Sequence, residues 1–346
     1  MKALVLEAIQ KLSVQVVPEP KPAPGDVLIR VVANGVCRSD WHAWVGDSPR
    51  KYPLVMGHEM AGIVEEVTPG VTRFKKGDRV VVPFSGSDGT CQYCMKGKPH
   101  LCDAMAAPGI AYSGGYGEYV SVPLADRNLV HLPEEISFRD GAALGCRFMT
   151  SFHGVVDRAQ VTAGEWVAVF GCGGIGLSAI NIAAAMGARP IGIDLNPANL
   201  ELAKAMGAEV VINGRETNAV EAVMEITQGG ADVSIDALGI AETCTNAILS
   251  LRKEGRHLQI GITTKKEAGY IAVPIDMVVR RELQIIGTLG MAPHRYSSMV
   301  PLVANGRLTP GKMVSGEVGL SQVQGIFEAM TRSDVTGTYV VTDFQG

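Results

Sequence analysis

The stretch "EWVAVFGCGGIGLSAINIAAAMG", residues 165–187, begins as a strand, ends as a helix and carries four glycines in six positions at the seam. Trp166 to Phe170 form a short apolar run with β-branched residues, and the segment from Ile175 has helical length and period. Gly171, Gly173 and Gly176 stand at G-x-G-x-x-G spacing, with Gly174 and Ile175 between them. Alone that spacing is weak. Between a strand and a helix it has a physical purpose, because the second glycine lets the backbone approach a pyrophosphate over a helix N-terminus. Asp194 closes the next strand, "RPIGID", 18 residues past Gly176. A carboxylate there hydrogen-bonds the ribose hydroxyls of NAD and repels the 2′-phosphate of NADP. Leu195, Asn196 and Pro197 follow with no arginine among them, so NAD is the expected cofactor. Residues 166–188 carry no charge and are long enough to span a bilayer. The glycines break that run, and a soluble βα unit fits it better.

Working outward, "EVVI" (209–212), "ADVSIDA" (231–237) and "RHLQIGI" (256–262) are further apolar strand candidates, separated by helical segments such as "PANLELAKAMG" and "AVEAVMEITQG". Asn196 before Pro197 is a good N-cap, and Gly207 a good C-terminal stop. Continuous apolar strands alternating with helices predict a buried parallel sheet. The first 145 or so residues read differently. Here "DVLIRVVA" (26–33), "AGIVEEV" (61–67) and "DRVVVPF" (78–84) are β segments joined by Gly/Pro turns, with Gly70 and Gly77 available for positive φ. From about residue 285 the pattern returns to mixed β segments and one helix, "SQVQGIFEAM", which reads as rejoining the first domain.

At 346 residues the chain has room for two domains. Its net charge of −4, without a basic stripe, argues against nucleic acid as a partner. "MKALVLEAIQ" meets Glu7 before an apolar signal region develops, and seven cysteines is an odd number. Together these predict a cytoplasmic protein with reduced thiols and no membrane partner.

Three clusters carry chemistry. "NGVCRSDWHAW" (34–44) places Cys37, Arg38, Ser39, Asp40 and His42 within six positions. "GHEMAGIV" supplies His58 and Glu59, but Gly62 stands four after His58, so this is no metalloprotease helix. Cys37, His58 and Cys146 together have the composition of a catalytic zinc site with one open position, although spacing alone does not join Cys146 to the others. "DGTCQYCMKGKPHLC" contains Cys91, Cys94 and Cys102, with Asp88 three before Cys91. It reads as a structural zinc loop, with a redox pair or metal-free thiols as the competing readings.

These motifs, with "GDRVVV", "GGYGEYV" and "GCRFMTSFHGV", resemble the zinc-dependent medium-chain alcohol dehydrogenases over essentially the whole chain. The resemblance implies an α/β fold: a Rossmann parallel-sheet domain (149–284) inserted in a β-rich GroES-like catalytic domain (1–148 and 285–346). It implies two zinc ions per chain and NAD. Cys37, His58 and Cys146 match catalytic zinc ligands, and Asp88, Cys91, Cys94 and Cys102 a structural site. Ser39 and His42 match a proton relay, Asp40 a carboxylate orienting His58, and Glu59 a carboxylate that can approach the metal. Cofactor contacts would come from Arg38, Thr150, Gly171, Gly173, Gly174, Ile175, Gly176, Asp194, Ile260 and Ile262. Trp44, Phe84 and Phe148 would line the substrate pocket. The implied reaction oxidises a primary or secondary alcohol to an aldehyde or ketone and reverses it, in a homodimer or homotetramer. Polyol or amino-alcohol oxidation is the alternative within the family, and an NAD-binding scaffold the non-enzymatic one. Three positions depart from the family pattern. Asp88 replaces a cysteine, Thr338 stands where many relatives carry an arginine on the pyrophosphate, and Arg147 follows Cys146 where a small residue is usual.

Overall fold

The computed structural model describes residues 1–48 and 50–345. The chain divides into two compact units: Met1–Met149 with Gly290–Gly306 and Val314–Gly346, and Thr150–Leu289 with Arg307–Met313.

The second unit holds a six-stranded sheet in the order Val210–Asn213, Arg189–Asp194, Trp166–Phe170, Ala231–Asp236, Leu251–Gln259, Gln284–Gly287. Every pairing is parallel. This is the doubly wound order, with the first strand central and a crossover to each side. The central strands are buried throughout, as their unbroken apolar runs predict. The opening stretch forms strand Trp166–Phe170, a glycine turn and helix Gly174–Ala185. That helix has twelve residues, and among the described residues none is long and apolar enough to cross a membrane. The Asn196 side chain caps helix Pro197–Ala205 through Ala198 N, and Gly207 follows with φ +105°.

The first unit is built on a seven-stranded sheet. Strands Val314–Gly319, Thr338–Asp343, Val27–Val36, Met60–Val67, Arg79–Val81 and Val130–His131 follow one another, and Tyr119–Val122 pairs with Val27–Val36. Only the pairing of Val314–Gly319 with Thr338–Asp343 is parallel. A smaller antiparallel sheet joins Lys11–Val16, Lys2–Ala8 and Leu54–Val55. Gly70 and Gly77 take the expected positive φ, at +99° and +91°.

The division into units departs from the sequence expectation in three places, the smallest being Met149, which falls in the first unit. Residues 285–289 stay with the second unit, because Gln284–Gly287 is its edge strand. Residues 307–313 also belong there, since Asn181 in helix Gly174–Ala185 accepts from Thr309 N at 2.9 Å and donates to Thr309 Oγ1 at 3.3 Å.

Gly176 sits where a Cβ would overlap the Gly171 carbonyl oxygen, so helix and turn approach as closely as backbone allows. We expect Gly176→Ala to cost about 3 kcal/mol and to weaken NADH binding. Thermal unfolding and NADH fluorescence titration check both; a wild-type midpoint would contradict the packing argument.

Candidate metal and dinucleotide sites

Why five polar residues crowd between Cys37 and His42 becomes clear from the local fold. Cys37 ends the strand and caps helix Arg38–Trp44, in which Asp40 N and Trp41 N donate to Cys37 O. A helix divides neighbours among faces. Asp40, Ala43 and Trp44 turn inward and are buried, whereas Arg38 and Ser39 are exposed and His42 is partly so. The sequence reading had not assigned this helix.

Cys37, His58 and Cys146 come together with their ligand atoms all within 4.8 Å of one another. Three separate segments deliver them: the end of strand Val27–Val36, the turn before Met60–Val67, and the first residue of helix Cys146–Phe152. His58 Nδ1 lies 3.0 Å from Asp40 Oδ1. Asp40 also accepts from Gly57 N at 3.3 Å and from the Tyr116 hydroxyl at 3.1 Å. Those bonds fix the imidazole so that Nε2 faces the two sulfurs. Nε2 is buried and has no hydrogen-bond partner among the described residues.

An orphaned buried nitrogen between two thiols is what an absent cation leaves, and the electrostatics agree. The nearness of the two sulfurs holds the Cys37 thiol well below the usual range and Cys146 well above it. Burial works against the His58 imidazolium, but Asp40 and Cys37 together lift it well above an ordinary histidine. The pocket therefore favours positive charge at its centre. A zinc ion fits this donor set, with two sulfurs, one nitrogen and one position left for another ligand.

Glu59 lies directly behind this group, 1% exposed, and is held by Arg147, itself buried. Burial pushes the Glu59 carboxyl up to about 7 against the pull of the guanidinium. Sequence reasoning left Arg147 without a role, because only the fold places it on Glu59. Tyr116 was missed in the same way, although its motif "GGYGEYV" had been singled out.

Phe84 meets the His58 ring edge-on, with centroids 6.0 Å apart. The other two expected pocket residues are corrected. Trp44 is packed in the core against Phe327 at 5.7 Å, and Phe148 is wholly buried, so both fill interior volume instead of lining an open pocket. Arg38 stacks over the Trp41 ring at 4.5 Å. His42 Nδ1 lies 3.1 Å from Asp47 Oδ2.

Cys91, Cys94 and Cys102 form a second group with sulfurs within 4.8 Å of one another. Backbone donation from Asp103 holds Cys91 down to about 7, while burial pushes Cys102 up to about 11. Asp88 stands at this cluster's edge, where its Oδ1 accepts from Cys102 Sγ at 3.2 Å and its carboxylate also takes Thr90 N and Oγ1. The Asp88 carboxyl is held below its ordinary range by those Thr90 bonds. The three sulfurs fit a zinc ion, and Asp88, which is not within 4.8 Å of all three, approaches the group through Cys102. All seven cysteines are free.

In the second unit, the turn after Trp166–Phe170 is a cradle for an anion. A Cβ on Gly173 would meet nothing within 4 Å, and helix Gly174–Ala185 begins at the next residue. That open backbone over a helix N-terminus fits a pyrophosphate. Asp194 Oδ2 accepts from Cys172 N at 2.7 Å and Oδ1 from Asn196 N at 2.8 Å, which tethers the carboxylate to the glycine turn. Asn199, 3.4 Å from Asp194, was not foreseen there. Thr150 and Ile260 are buried and Ile262 is 72% exposed in this unit. Thr338 is buried in the first unit's sheet, paired with Val314.

Comparison with known proteins agrees with this geometry. Residues 23–134 match the alcohol dehydrogenase GroES-like domain, and residues 174–305 match the zinc-binding dehydrogenase family. An alcohol dehydrogenase of Geobacillus stearothermophilus is 34% identical, covering 99% of both chains. An NAD-dependent alcohol dehydrogenase of Sulfurisphaera tokodaii is 33% identical, also over 99% of both. The solved alcohol dehydrogenase TADH from Thermus sp. ATN1 superposes with a TM-score of 0.92 at 31% identity, covering 99% of this chain and all of that one. The chain belongs to the zinc-dependent medium-chain alcohol dehydrogenase family. It is an NAD-dependent oxidoreductase of that class.

Removing Asp40 strands His58 Nδ1, Gly57 N and the Tyr116 hydroxyl together. Asp40→Ala is expected to lower zinc affinity at the three-ligand site about 10- to 100-fold. Zinc retained after dialysis against a chelator, measured by atomic spectroscopy, checks this; full retention would contradict it.

Proposed function

We propose that the enzyme oxidises a small primary or secondary alcohol to the aldehyde or ketone, and reduces the carbonyl in reverse. Cys37, His58 and Cys146 hold the catalytic zinc in this reading, and Asp88, Cys91, Cys94 and Cys102 a structural one. The observation that carries it is the buried, unpartnered His58 Nε2 facing two sulfurs. When bound, zinc supplies a Lewis acid that stabilises the alkoxide, and NAD supplies the hydride acceptor.

The chain's own residues handle the proton. Ser39, exposed beside Cys37, would accept the hydroxyl proton at Oγ while handing its own on, by way of the cofactor ribose, to His42 and so outward. Asp47 accepts from His42 Nδ1, which leaves Nε2 as the nitrogen able to receive a proton. Asp40 keeps the His58 ring oriented. Phe84, edge-on to that ring, supplies an apolar wall for the carbon chain. Arg38 and the glycine turn contact the cofactor phosphates. Asp194, with no cation in the three residues after it, selects NAD over NADP.

Cys37→Ala is expected to abolish alcohol-dependent NADH production across a panel of simple alcohols and polyols, while NADH still binds with wild-type fluorescence enhancement. Turnover retained in that variant would overturn the ligand assignment. A wild-type protein that binds NAD but oxidises nothing in the panel would leave the scaffold reading instead.

We place the protein in the cytoplasm, where its seven thiols stay reduced, as a homodimer or a tetramer built from such dimers. Strand Gln284–Gly287 ends the six-stranded sheet, with unpaired backbone along its outer edge. Ile275, Val279 and Ile285, all between 47% and 71% exposed, lie in this strand or in the helix Ile275–Arg281 just before it. A bare edge with an apolar flank suits a second copy of the same edge. Light scattering on a sizing column is expected to give a dimer or tetramer for the wild type and a smaller species for Val279→Asp. A monomeric wild type would overturn this assignment.

A further inference from the structure

Beside Cys37, His58 and Cys146 stand three chain neighbours joined in one buried cluster, an ion pair and the carbonyl it reaches. Glu59 follows His58, Arg147 follows Cys146, and Val36 precedes Cys37. Arg147 Nε and its own backbone N–H both donate to Glu59 Oε1, at 3.1 and 3.2 Å. Its Nη2 donates to Glu59 Oε2, and its Nη1 reaches the Val36 carbonyl at 3.3 Å. The main chain at Glu59 is tied in as well, accepting from Gly35 N at 2.8 Å and donating to Asn34 Oδ1 at 3.3 Å.

Two glycines make room for the pair. A Cβ on Gly145 would overlap the Glu59 side chain, and one on Gly35 would overlap Glu59 Oε2 and lie 3.0 Å from Arg147 Nη2. Glu59 and Arg147 are 1% and 7% exposed. A buried ion pair gains little net stability over apolar packing of the same shape, because two charges must first leave water. Its value here is directional. A guanidinium fork with a backbone N–H beside it admits a single carboxylate orientation.

The geometry points to Arg147 as a positioning residue. By clamping Glu59 it locks together the three segments that carry Cys37, His58 and Cys146, and it denies the Glu59 carboxylate the metal's open position. Both Glu59 oxygens are occupied by the donors of Arg147. A small residue at 147 would leave them free to swing toward the metal. The inference rests on the three-ligand reading of the site.

The test uses zinc-loaded and cobalt-loaded full-length enzyme. Transfer of zinc to a chromogenic chelator is expected to run about 10- to 100-fold faster in Arg147→Met than in the wild type. The visible spectrum of the cobalt form should also change, because a freed carboxylate enters the coordination sphere. Loss of stability alone would move the unfolding midpoint and leave that spectrum untouched. The double variant E59Q/R147M leaves no buried charge unpaired, so it remains testable if the single variant fails to fold. It should show the wild-type cobalt spectrum with fast zinc release, since the lock is gone and there is no carboxylate to bind. Wild-type release from either variant, or an unchanged cobalt spectrum in Arg147→Met, would overturn the proposal alone. A wild type that holds no zinc at these ligands would overturn it together with the function proposed above.

Discussion

The arrangement of the Cys37, His58 and Cys146 group depends on one hydrogen bond, between His58 Nδ1 and the buried Asp40 carboxylate. An imidazole with one nitrogen engaged has only one direction in which to point the other. Asp40 is itself held by Gly57 N and Tyr116, so that direction is set by the fold and not by a rotamer preference. The consequence is a nitrogen aimed at two buried sulfurs, the donor set that a zinc ion takes.

The nucleotide half was the more legible in sequence, for a physical reason. A strand, a glycine turn, a helix and a distal acid are all local features read along one continuous run, and backbone geometry dictates each of them. The strand order and the N-cap at Asn196 follow from the same local logic. The catalytic half was legible only where a motif packs its parts into a few residues. Cys37 and His58 stood out; composition suggested Cys146 beside them, but spacing alone did not join it to the other two. What brings it there is tertiary contact, including the ion pair between residues 59 and 147.

The aromatic residues show the same limit. Trp44, Phe84 and Phe148 were equivalent as sequence, three large apolar side chains close to motifs. The fold separates them: Phe84 sits against the His58 ring, whereas Trp44 and Phe148 are absorbed into packed interior. Apolar character tells that a side chain will be covered, but not whether protein or ligand covers it. Helix Arg38–Trp44 was hidden for a related cause. Seven residues are too few for periodicity to emerge, and its inward face includes a carboxylate where a hydrophobic residue would normally mark the core.

The order in which this chain is made has a bearing on when its metal centre can exist. The end of strand Val27–Val36, just before Cys37, is flanked on one side by Tyr339–Val341. On a growing polypeptide that neighbour does not emerge until synthesis has passed residue 341, after the second unit, which closes at Met313, has been made. Pairings so distant in sequence form slowly, since the intervening loop must first be closed. Cys37, at the end of that strand, therefore waits on a neighbour that lies about three hundred residues downstream. In the three-ligand reading, metal binding by Cys37, His58 and Cys146 becomes one of the last events of maturation, whereas the Cys91, Cys94 and Cys102 group is complete as soon as its own loop has been made.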